Sequence, residues 1–164
     1  MRLTKNFTLE EFTRSNTALR LGLSNKPTKE GIIKLRLLAA FLQTIRDRLG
    51  ALRITSGYRS PALSQAIGSS ANSQHCRYEA VDLQYIKRGK MDNLKIYQTI
   101  VDLDLDFDQM ILEFGDSTEY NDPMRPAWIH LSWKVSDNRR QVLVAYKNEN
   151  NTTKYRPLIK YKSL

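Results

Sequence analysis

The chain has 164 residues, of which 26 are Lys or Arg and 17 are Asp or Glu, so its formal net charge is +9. Hydrophobic residues make up 41% and charged residues 26%, which is typical of a globular protein and argues against a disordered chain, a collagen-like repeat or a membrane protein. A chain of this length fits one domain that can fold without disulfides or a structural metal. The surplus positive charge predicts an anionic partner, such as nucleic acid, an acidic membrane surface or an acidic cell-wall polymer.

The cysteine content and the first residues bear on where the protein works. Cys76 is the single cysteine, so no internal disulfide can form and the fold should not need an oxidising compartment. The chain turns polar directly after Met1, without the apolar stretch of a signal peptide, and no later segment has the length of a membrane span. We therefore expect synthesis in the cytoplasm and no membrane span, with action outside only after release or delivery by another route.

Four helices are predicted from capping signals and apolar periodicity. The longest has apolar residues at helical intervals from Ile32 to Leu49, which indicates one face against the core. In chain order, the four are a short helix capped by Thr8 with Glu11, the long helix between Thr28 and Gly50, a short helix from Ser60-Pro61 to Gly68, and a helix that Asp92 caps and that reaches about Val101.

The strands are predicted mostly in the second half of the chain, where apolar and polar residues alternate. They are Leu52–Ser56, Glu79–Tyr85, Phe107–Phe114, Trp128–Trp133, and Gln141–Tyr146 with Tyr155–Tyr161, the last two forming a C-terminal hairpin at about residues 141–161. Helices come early and strands late, without regular alternation. This order predicts an α+β fold over residues 1–164, one domain with helices on one side of a small, mainly antiparallel sheet.

The two histidines of the sequence are candidate metal ligands. His75 lies just before the predicted strand that contains Asp82, and His130 lies on another predicted strand. Catalytic zinc is commonly held by three protein ligands of these types, with the fourth position left for water. The alternative is that both histidines are ordinary half-buried residues and that Asp82 is a surface carboxylate.

Four strings in the sequence resemble the motifs of a known family. They are Ile54-Thr-Ser-Gly-Tyr-Arg-Ser-Pro61, Ser73-x-His75-x6-Asp82, Phe107-Asp-Gln-Met-Ile-Leu-Glu-Phe114 and Trp128-Ile-His-Leu-Ser132. Their order and spacing are similar to those of the zinc D-alanyl-D-alanine carboxypeptidase-like peptidases, which include phage L-alanyl-D-glutamate endolysins and group with the hedgehog signalling domain. Residues 6–15 and 138–143 also resemble small phage and bacterial members, so the resemblance covers about residues 3–146.

The resemblance implies a hedgehog-type α+β fold that carries zinc on the open face of its sheet. It implies that His75, Asp82 and His130 hold Zn2+, and that the protein is a peptidoglycan hydrolase acting on stem peptides. The bond would be D-Ala-D-Ala, as in a carboxypeptidase, or L-Ala-D-Glu, as in an endopeptidase. We expect a monomeric phage or bacterial lytic enzyme that acts at the cell wall, where anionic polymers attract its positive charge.

Catalysis also needs a general base that takes the proton of the attacking water. Many family members carry an acidic residue or a histidine just before the last zinc ligand, at positions that here are Ala127 and Trp128. Glu113 is therefore the candidate base, and the alternative is a solvated or salt-bridged strand carboxylate. Arg59 matches an arginine that faces zinc in the family, where it can bind a substrate carboxylate or stabilise an oxyanion; the alternative is a surface arginine.

The remaining motif residues are given supporting roles. Ser73 is expected to orient the loop or His75 through a hydrogen bond, or to be a plain turn serine. Trp128 is expected in the core or in the wall of a cleft. Asp108 and Gln109 are interpreted as structural residues that position their strand.

Three other functions stay open. A zinc-containing wall-binding module without catalysis is compatible with Ala127 in place of a base. A cysteine peptidase would use Cys76 with His130 as its base, but this leaves Asp82 unexplained, and Cys76 is more simply a small buried residue. A nucleic-acid-binding protein would explain the charge, but the sequence shows no continuous basic helix face or aromatic RNA-binding string, so no specific nucleic acid is expected.

Overall fold

The computed structural model describes residues 1–115 and 125–158, which contain five helices and seven strands. The helices are α1 (Leu9–Thr13), α2 (Asn16–Leu21), α3 (Lys29–Leu49), α4 (Pro61–Ala66) and α5 (Leu94–Asp102). The strands are β1 (Leu52–Ser56), β2 (Ala80–Lys87), β3 (Lys90–Met91), β4 (Gln109–Gly115), β5 (Pro126–Ser132), β6 (Gln141–Lys147) and β7 (Thr153–Pro157). None of the helices in this part of the chain is long and apolar enough to cross a membrane.

The strands form one sheet in the order β1-β2-β5-β4-β6-β7, with the short β3 paired to β2. Neighbouring strands are antiparallel except β4 and β6, which are parallel. The predicted α+β class is therefore confirmed, and the parallel pair makes the sheet mixed. Because β4 and β6 run in the same direction, the chain must cross back along the sheet between them. The antiparallel strand β5 makes this return.

One face of the sheet carries the hydrophobic core. Alternate residues of the central strands are buried there because side chains of a strand point to opposite faces in turn. They are Val81, Leu83, Met110, Leu112, Ile129, Leu131 and Val144. α3 and α5 cover this face with apolar residues at helical spacing: Leu35, Leu38, Leu42, Ile45, Ile96 and Ile100. The long helix predicted between Thr28 and Gly50 is confirmed, with both residues as its caps.

Three local features differ from the sequence expectations. α2 was not predicted; the hydroxyl of Ser15 accepts a hydrogen bond from the backbone N–H of Ala18 at its start. The prediction that Asp92 caps α5 was wrong, because Asn93 occupies the N-cap position and makes no capping hydrogen bond with its side chain. The C-terminal hairpin forms as predicted, but β7 ends at Pro157, and residues 159–161 of the predicted strand lie outside the described part of the chain.

Candidate metal centre

Two neighbouring strands place Asp82 and His130 side by side. β2 and β5 are antiparallel, and their register pairs Asp82 directly with His130. Directly opposite residues of such a pair project from the same face of the sheet. Here that face is opposite the hydrophobic core, and both side chains line a cleft of about 800 Å³. Each residue is only 8% exposed, so Asp82 is not the surface carboxylate and His130 not the half-buried histidine of the alternative interpretation.

His75 reaches the same cleft from the turns between α4 and β2. Its Nδ1 atom lies 2.7 Å from the backbone oxygen of Gly57. Gly57 packs directly on α1, where an added Cβ would lie 2.4 Å from the backbone oxygen of Phe12. The backbone N–H of Tyr58 donates to that same oxygen at 2.7 Å. Because only glycine fits this approach, the Gly57 carbonyl is held where it orients the His75 ring.

Three ligand-type atoms converge in the cleft. The Nε2 atom of His75 lies 3.3 Å from Nδ1 of His130 and 3.4 Å from Oδ1 of Asp82. The Nδ1 atom of His130 lies 3.1 Å from the same Oδ1. Within the described residues, these three side chains form the cluster of His, Cys, Asp and Glu that could hold a metal ion.

The outer contacts of the two imidazoles determine which nitrogens carry hydrogen. A carbonyl oxygen only accepts hydrogen bonds, so His75 must donate from Nδ1 to Gly57, which leaves the lone pair on Nε2 in the neutral ring. His130 places its Nε2 atom 3.3 Å from Oε1 of Gln74, which also only accepts. His130 therefore carries its hydrogen on Nε2 and turns the lone pair of Nδ1 toward Asp82.

Gln74 is itself held in one orientation by Asp108. Its amide nitrogen donates to Oδ2 of Asp108 at 2.7 Å and to the hydroxyl of Ser132 at 2.9 Å, which turns its oxygen toward His130. Hydrogen bonds from Arg139 hold the pKa of Asp108 well below its usual range, against the effect of burial. The carboxylate thus stays an acceptor, and the orientation of Gln74 follows from it.

The donor set fits a divalent cation. With the tautomers above, two nitrogen lone pairs and one carboxylate oxygen face one another at 3.1–3.4 Å, a repulsive arrangement unless positive charge lies between them. Ligand atoms about 2.0–2.2 Å from a tetrahedral zinc are about 3.4 Å apart. The observed spacing matches that value, and the second nitrogen of each ring has the outer hydrogen bond typical of metal-bound histidine.

Arg59 lies at the site and binds the other oxygen of Asp82. Its Nη2 is 2.6 Å from Oδ2 of Asp82, and its Nε donates to the hydroxyl of Ser56 at 2.9 Å. Burial opposes the ionisation of Asp82, but when no metal is bound, hydrogen bonds from protonated histidine rings hold the pKa of this carboxyl group well below its usual range. The two oxygens of this carboxylate therefore have different partners. Oδ2 contacts Arg59, and Oδ1 faces the two histidines.

Glu113 lines the same cleft from β4, opposite Trp128 of β5. It is only 9% exposed and forms no ion pair with any residue that the structure describes. Burial raises the pKa of Glu113 to about 7, and the negative charge of Asp82 adds to this effect, while His130 and Arg59 oppose it. A carboxyl group with such a pKa can exchange protons near neutral pH.

Trp128 lies in the wall of the cleft, one of the two positions predicted for it. Its ring meets Phe114 edge to face, with centroids 5.5 Å apart, and both residues line the cleft. The two rings give this end of the cleft an apolar surface beside Glu113. Such a surface excludes water and supports the raised pKa of the carboxyl group.

Ser73 and Cys76 interact with each other instead of with the histidines. The hydroxyl of Ser73 donates to the sulfur of Cys76 at 3.5 Å, so it orients the loop and makes no hydrogen bond to His75. Cys76 is half-buried, which corrects the expectation of a buried residue, because it sits in the turn with its sulfur 3.8 Å from the backbone oxygen of Ser70. The ring nitrogens of His130 face Asp82 and Gln74, so no Cys76–His130 pair forms.

Sequence reasoning missed Gln74 as the outer partner of His130. The residue stands inside the second string, directly before His75, but a glutamine in a polar loop has no distinguishing pattern. The available signal was chemical, since a metal-bound histidine requires an acceptor for its second nitrogen. Asp108, interpreted as structural, lies directly behind this amide.

A comparison with known families matches most of the chain to one family. The profile of the family described as Peptidase M15 matches residues 5–107, a segment that includes Arg59, His75 and Asp82. Glu113 and His130 follow the matched segment. No curated protein matches the sequence significantly. Because the profile covers more than half of the chain, the chain belongs to the Peptidase M15 family.

Proposed function

We propose that the protein is a zinc metallopeptidase that hydrolyses an amide bond in peptidoglycan stem peptides. Family membership supports a metallopeptidase, because M15 peptidases are metal-dependent and usually use zinc. The observation that carries the proposal is the convergence of acceptor atoms from His75, Asp82 and His130 in one cleft. The cleft also contains Glu113 and Arg59, which have the chemistry that peptide hydrolysis needs.

The three converging atoms would hold the zinc. They are Nε2 of His75, Oδ1 of Asp82 and Nδ1 of His130, and three protein ligands leave a fourth position for water or substrate. When bound there, zinc supplies a Lewis acid that polarises the scissile carbonyl and lowers the pKa of water. The chain itself supplies the rigid frame, because each ligand is held by β2, β5 or the Gly57 carbonyl.

Glu113 serves as the general base in this proposal. Its ionised form takes a proton from the attacking water, and the neutral acid then returns that proton to the leaving amine. The pKa of about 7 that burial gives to Glu113 suits both steps, since each form is accessible near neutral pH. Glu113 lies in the cleft opposite Trp128. It forms no ion pair with any described residue, so its carboxyl group is available to the attacking water.

Arg59 orients Asp82 and can also contact the substrate. A guanidinium has five N–H donors, and the contacts with Asp82 and Ser56 use two of them. The remaining donors can bind a substrate carboxylate or the oxygen on which negative charge develops. An arginine is well suited to this double role because its charge does not titrate.

The resemblance to wall-lytic enzymes and the net charge of +9 support a cell-wall substrate. Stem peptides are linked to glycan strands that carry or neighbour anionic polymers, and a basic protein is concentrated on such surfaces. The candidate bonds are D-Ala-D-Ala at the end of the stem and L-Ala-D-Glu near its root. Both present a carboxylate close to the bond that is cut, which an arginine in the cleft can bind.

Digestion of purified peptidoglycan tests the proposal. The zinc-loaded protein is incubated with the wall, and the released fragments are identified by mass spectrometry, which also assigns the bond. The same assay is run with His75→Ala and Glu113→Gln. Glu149→Gln is the matched control, because Glu149 is an exposed carboxylate in the turn between β6 and β7 that does not line the cleft. We expect stem-peptide fragments from the wild type and the control, and none above background from the other two.

The other outcomes assign the alternatives. If the protein binds metal but releases no new fragment, the proposed peptidase activity is contradicted and a wall-binding module is favoured. Activity that persists in Glu113→Gln removes this residue as the base. Activity lost in Cys76→Ser and retained in His75→Ala would favour a cysteine peptidase instead.

A further inference from the structure

A second groove lies beside the metal-site cleft, along the edge of the sheet. Its volume is about 560 Å³, within the range of small-molecule and peptide sites. It is lined by β1 and by the start of α2, and its polar residues include Arg14, Ser15, Arg53 and Thr55. Ile54 and Leu63, which are almost fully buried, contribute apolar surface.

The groove is continuous with the metal-site cleft. Arg59 and Ile67 line both of them. The strand register also places the groove on the side of the metal site, since Arg53 pairs with Gln84, two residues after Asp82 on β2. Residues opposite each other, or two apart on one strand, share a face. A substrate bound at the metal site can therefore extend past Arg59 toward β1.

The charges of the two spaces differ. In the metal-site cleft the cations have acidic partners: Arg59 pairs with Asp82, Arg77 with Glu79, and Lys134 and Arg139 with Asp108. In the groove, neither Arg14 nor Arg53 forms an ion pair with any described residue. No acidic residue of the described chain lines the groove. It therefore offers guanidinium groups whose charge is not neutralised within it.

We propose that this groove is a substrate subsite in which Arg14 and Arg53 bind a carboxylate of the stem peptide. The inference rests on the proposed peptidase function and adds where an acidic part of the substrate lies relative to the bond that is cut. Guanidinium groups bind carboxylates through paired N–H donors. The hydroxyl of Ser15 accepts from the backbone N–H of Ala18 and can donate its own hydrogen to the substrate. The apolar floor suits the methyl and methylene groups of alanine and glutamate.

Steady-state kinetics on matched peptides test the subsite. The substrate is L-Ala-γ-D-Glu-L-Lys-D-Ala-D-Ala with both free carboxyl groups, compared with the same peptide amidated at D-Glu and with the peptide amidated at its C-terminus. The enzymes are the zinc-loaded wild type, Arg14→Gln and Arg53→Gln. Arg20→Gln is the control, since Arg20 is an exposed arginine of α2 that does not line the groove.

We expect one amidation to raise KM of the wild type by about ten- to a hundredfold, as the loss of a hydrogen bond to a charged group would. Arg14→Gln and Arg53→Gln should raise KM for the free acid by a similar factor and lose the preference for the acid over that amide. Arg20→Gln should keep the preference. The amide that removes the dependence on Arg14 and Arg53 identifies the carboxylate that the groove binds.

The subsite proposal is overturned if the acid and both amides have equal KM values, or if the preference for the acid survives both substitutions. Either result leaves the proposed peptidase activity standing. If the wild type cuts none of the peptides, the peptidase proposal fails, and binding decides the subsite separately. In that case the Kd of the fluorescently labelled free acid is measured by anisotropy. If Arg53→Gln binds this peptide more weakly than Arg20→Gln does, the subsite proposal is supported. Equal Kd values for the two variants contradict it.

Discussion

The Nε2 atom of His130 lies 3.3 Å from Oε1 of Gln74, and this contact decides which nitrogen of the ring faces the metal site. Gln74 cannot turn its amide around, because its nitrogen already donates to Asp108. A carboxylate, an amide and an imidazole thus form one chain of fixed polarity that ends at Nδ1 of His130. Outer contacts of this kind commonly change metal affinity by 10- to 100-fold when they are removed.

Replacement of Gln74 by methionine should weaken metal binding at least tenfold. The side chain keeps a similar length but loses the acceptor for His130, so the ring is free to place its hydrogen on Nδ1. Zinc affinity is measured by competition with a chromophoric chelator, and the tautomer of His130 by nitrogen NMR of the zinc-free protein. Gln141→Met is the control, because Gln141 is exposed and pairs only with Gln109 among the described side chains. Unchanged affinity in Gln74→Met would contradict the role of the contact.

Glu113 should make the metal-free protein less stable as the pH rises. Its pKa is about 7 in the folded state against an ordinary 4.5, so between these values the folded protein holds a proton that the unfolded chain has released. Stability then falls through this window by about 3 kcal/mol. Denaturant unfolding at pH 4 and pH 8 should show Glu113→Gln gaining stability over the wild type only at pH 8. Added zinc should reduce that gain, since a nearby cation favours the carboxylate. An equal gain at both pH values would refute a raised pKa.

Gly57→Ala should disturb both the fold and the metal site. The new Cβ would lie 2.4 Å from the Phe12 oxygen, so the backbone must shift, at a cost of about 1–3 kcal/mol. The same shift moves the carbonyl that orients His75, so zinc affinity should fall as well. Gly89→Ala separates the two effects, because Gly89 has a φ of +76° but open space around it. It should lose stability and keep its zinc affinity; a loss of affinity in both variants would show that general destabilisation is responsible.

Salt should reduce activity on whole walls more steeply than activity on a soluble stem peptide. The +9 charge concentrates the protein on anionic polymers, and this attraction is screened over about 10 Å at 0.1 M ionic strength. Fragment release from walls and cleavage of a labelled pentapeptide are measured from 0.05 to 0.5 M salt. The same slope for both substrates would mean that the surplus charge does not serve delivery.

The parts of the fold that follow from local pattern could be predicted from the sequence. The long α3 has its caps and apolar periodicity within its own residues, and the strands around Asp82 and His130 show alternating side chains. The candidate ligands could be predicted because four strings with family spacing occur in order. These features depend on neighbouring residues along the chain, which the sequence displays directly.

The remaining features depend on contacts between distant residues. The parallel pairing of β4 with β6 and the contact of Gln74 with Asp108 join segments that are about 30 residues apart, and neither leaves a periodic pattern. The start of α5 was predicted at Asp92 instead of Asn93, because the side chain of Asn93 binds the backbone of β2 and β5, a long-range contact that no capping pattern reveals. The partner of Arg59 could not be predicted either, since an arginine in a turn has many possible acceptors.

A crystal structure of the zinc-loaded protein with anomalous data at the zinc edge tests the central claim most directly. We predict one anomalous peak, about 2.0–2.2 Å from Nε2 of His75, Oδ1 of Asp82 and Nδ1 of His130. Glu113 should face the open side of the ion, and Gln74 should still accept from Nε2 of His130. A peak at other residues, coordination through Nε2 of His130, or no peak in zinc-saturated crystals would contradict the account.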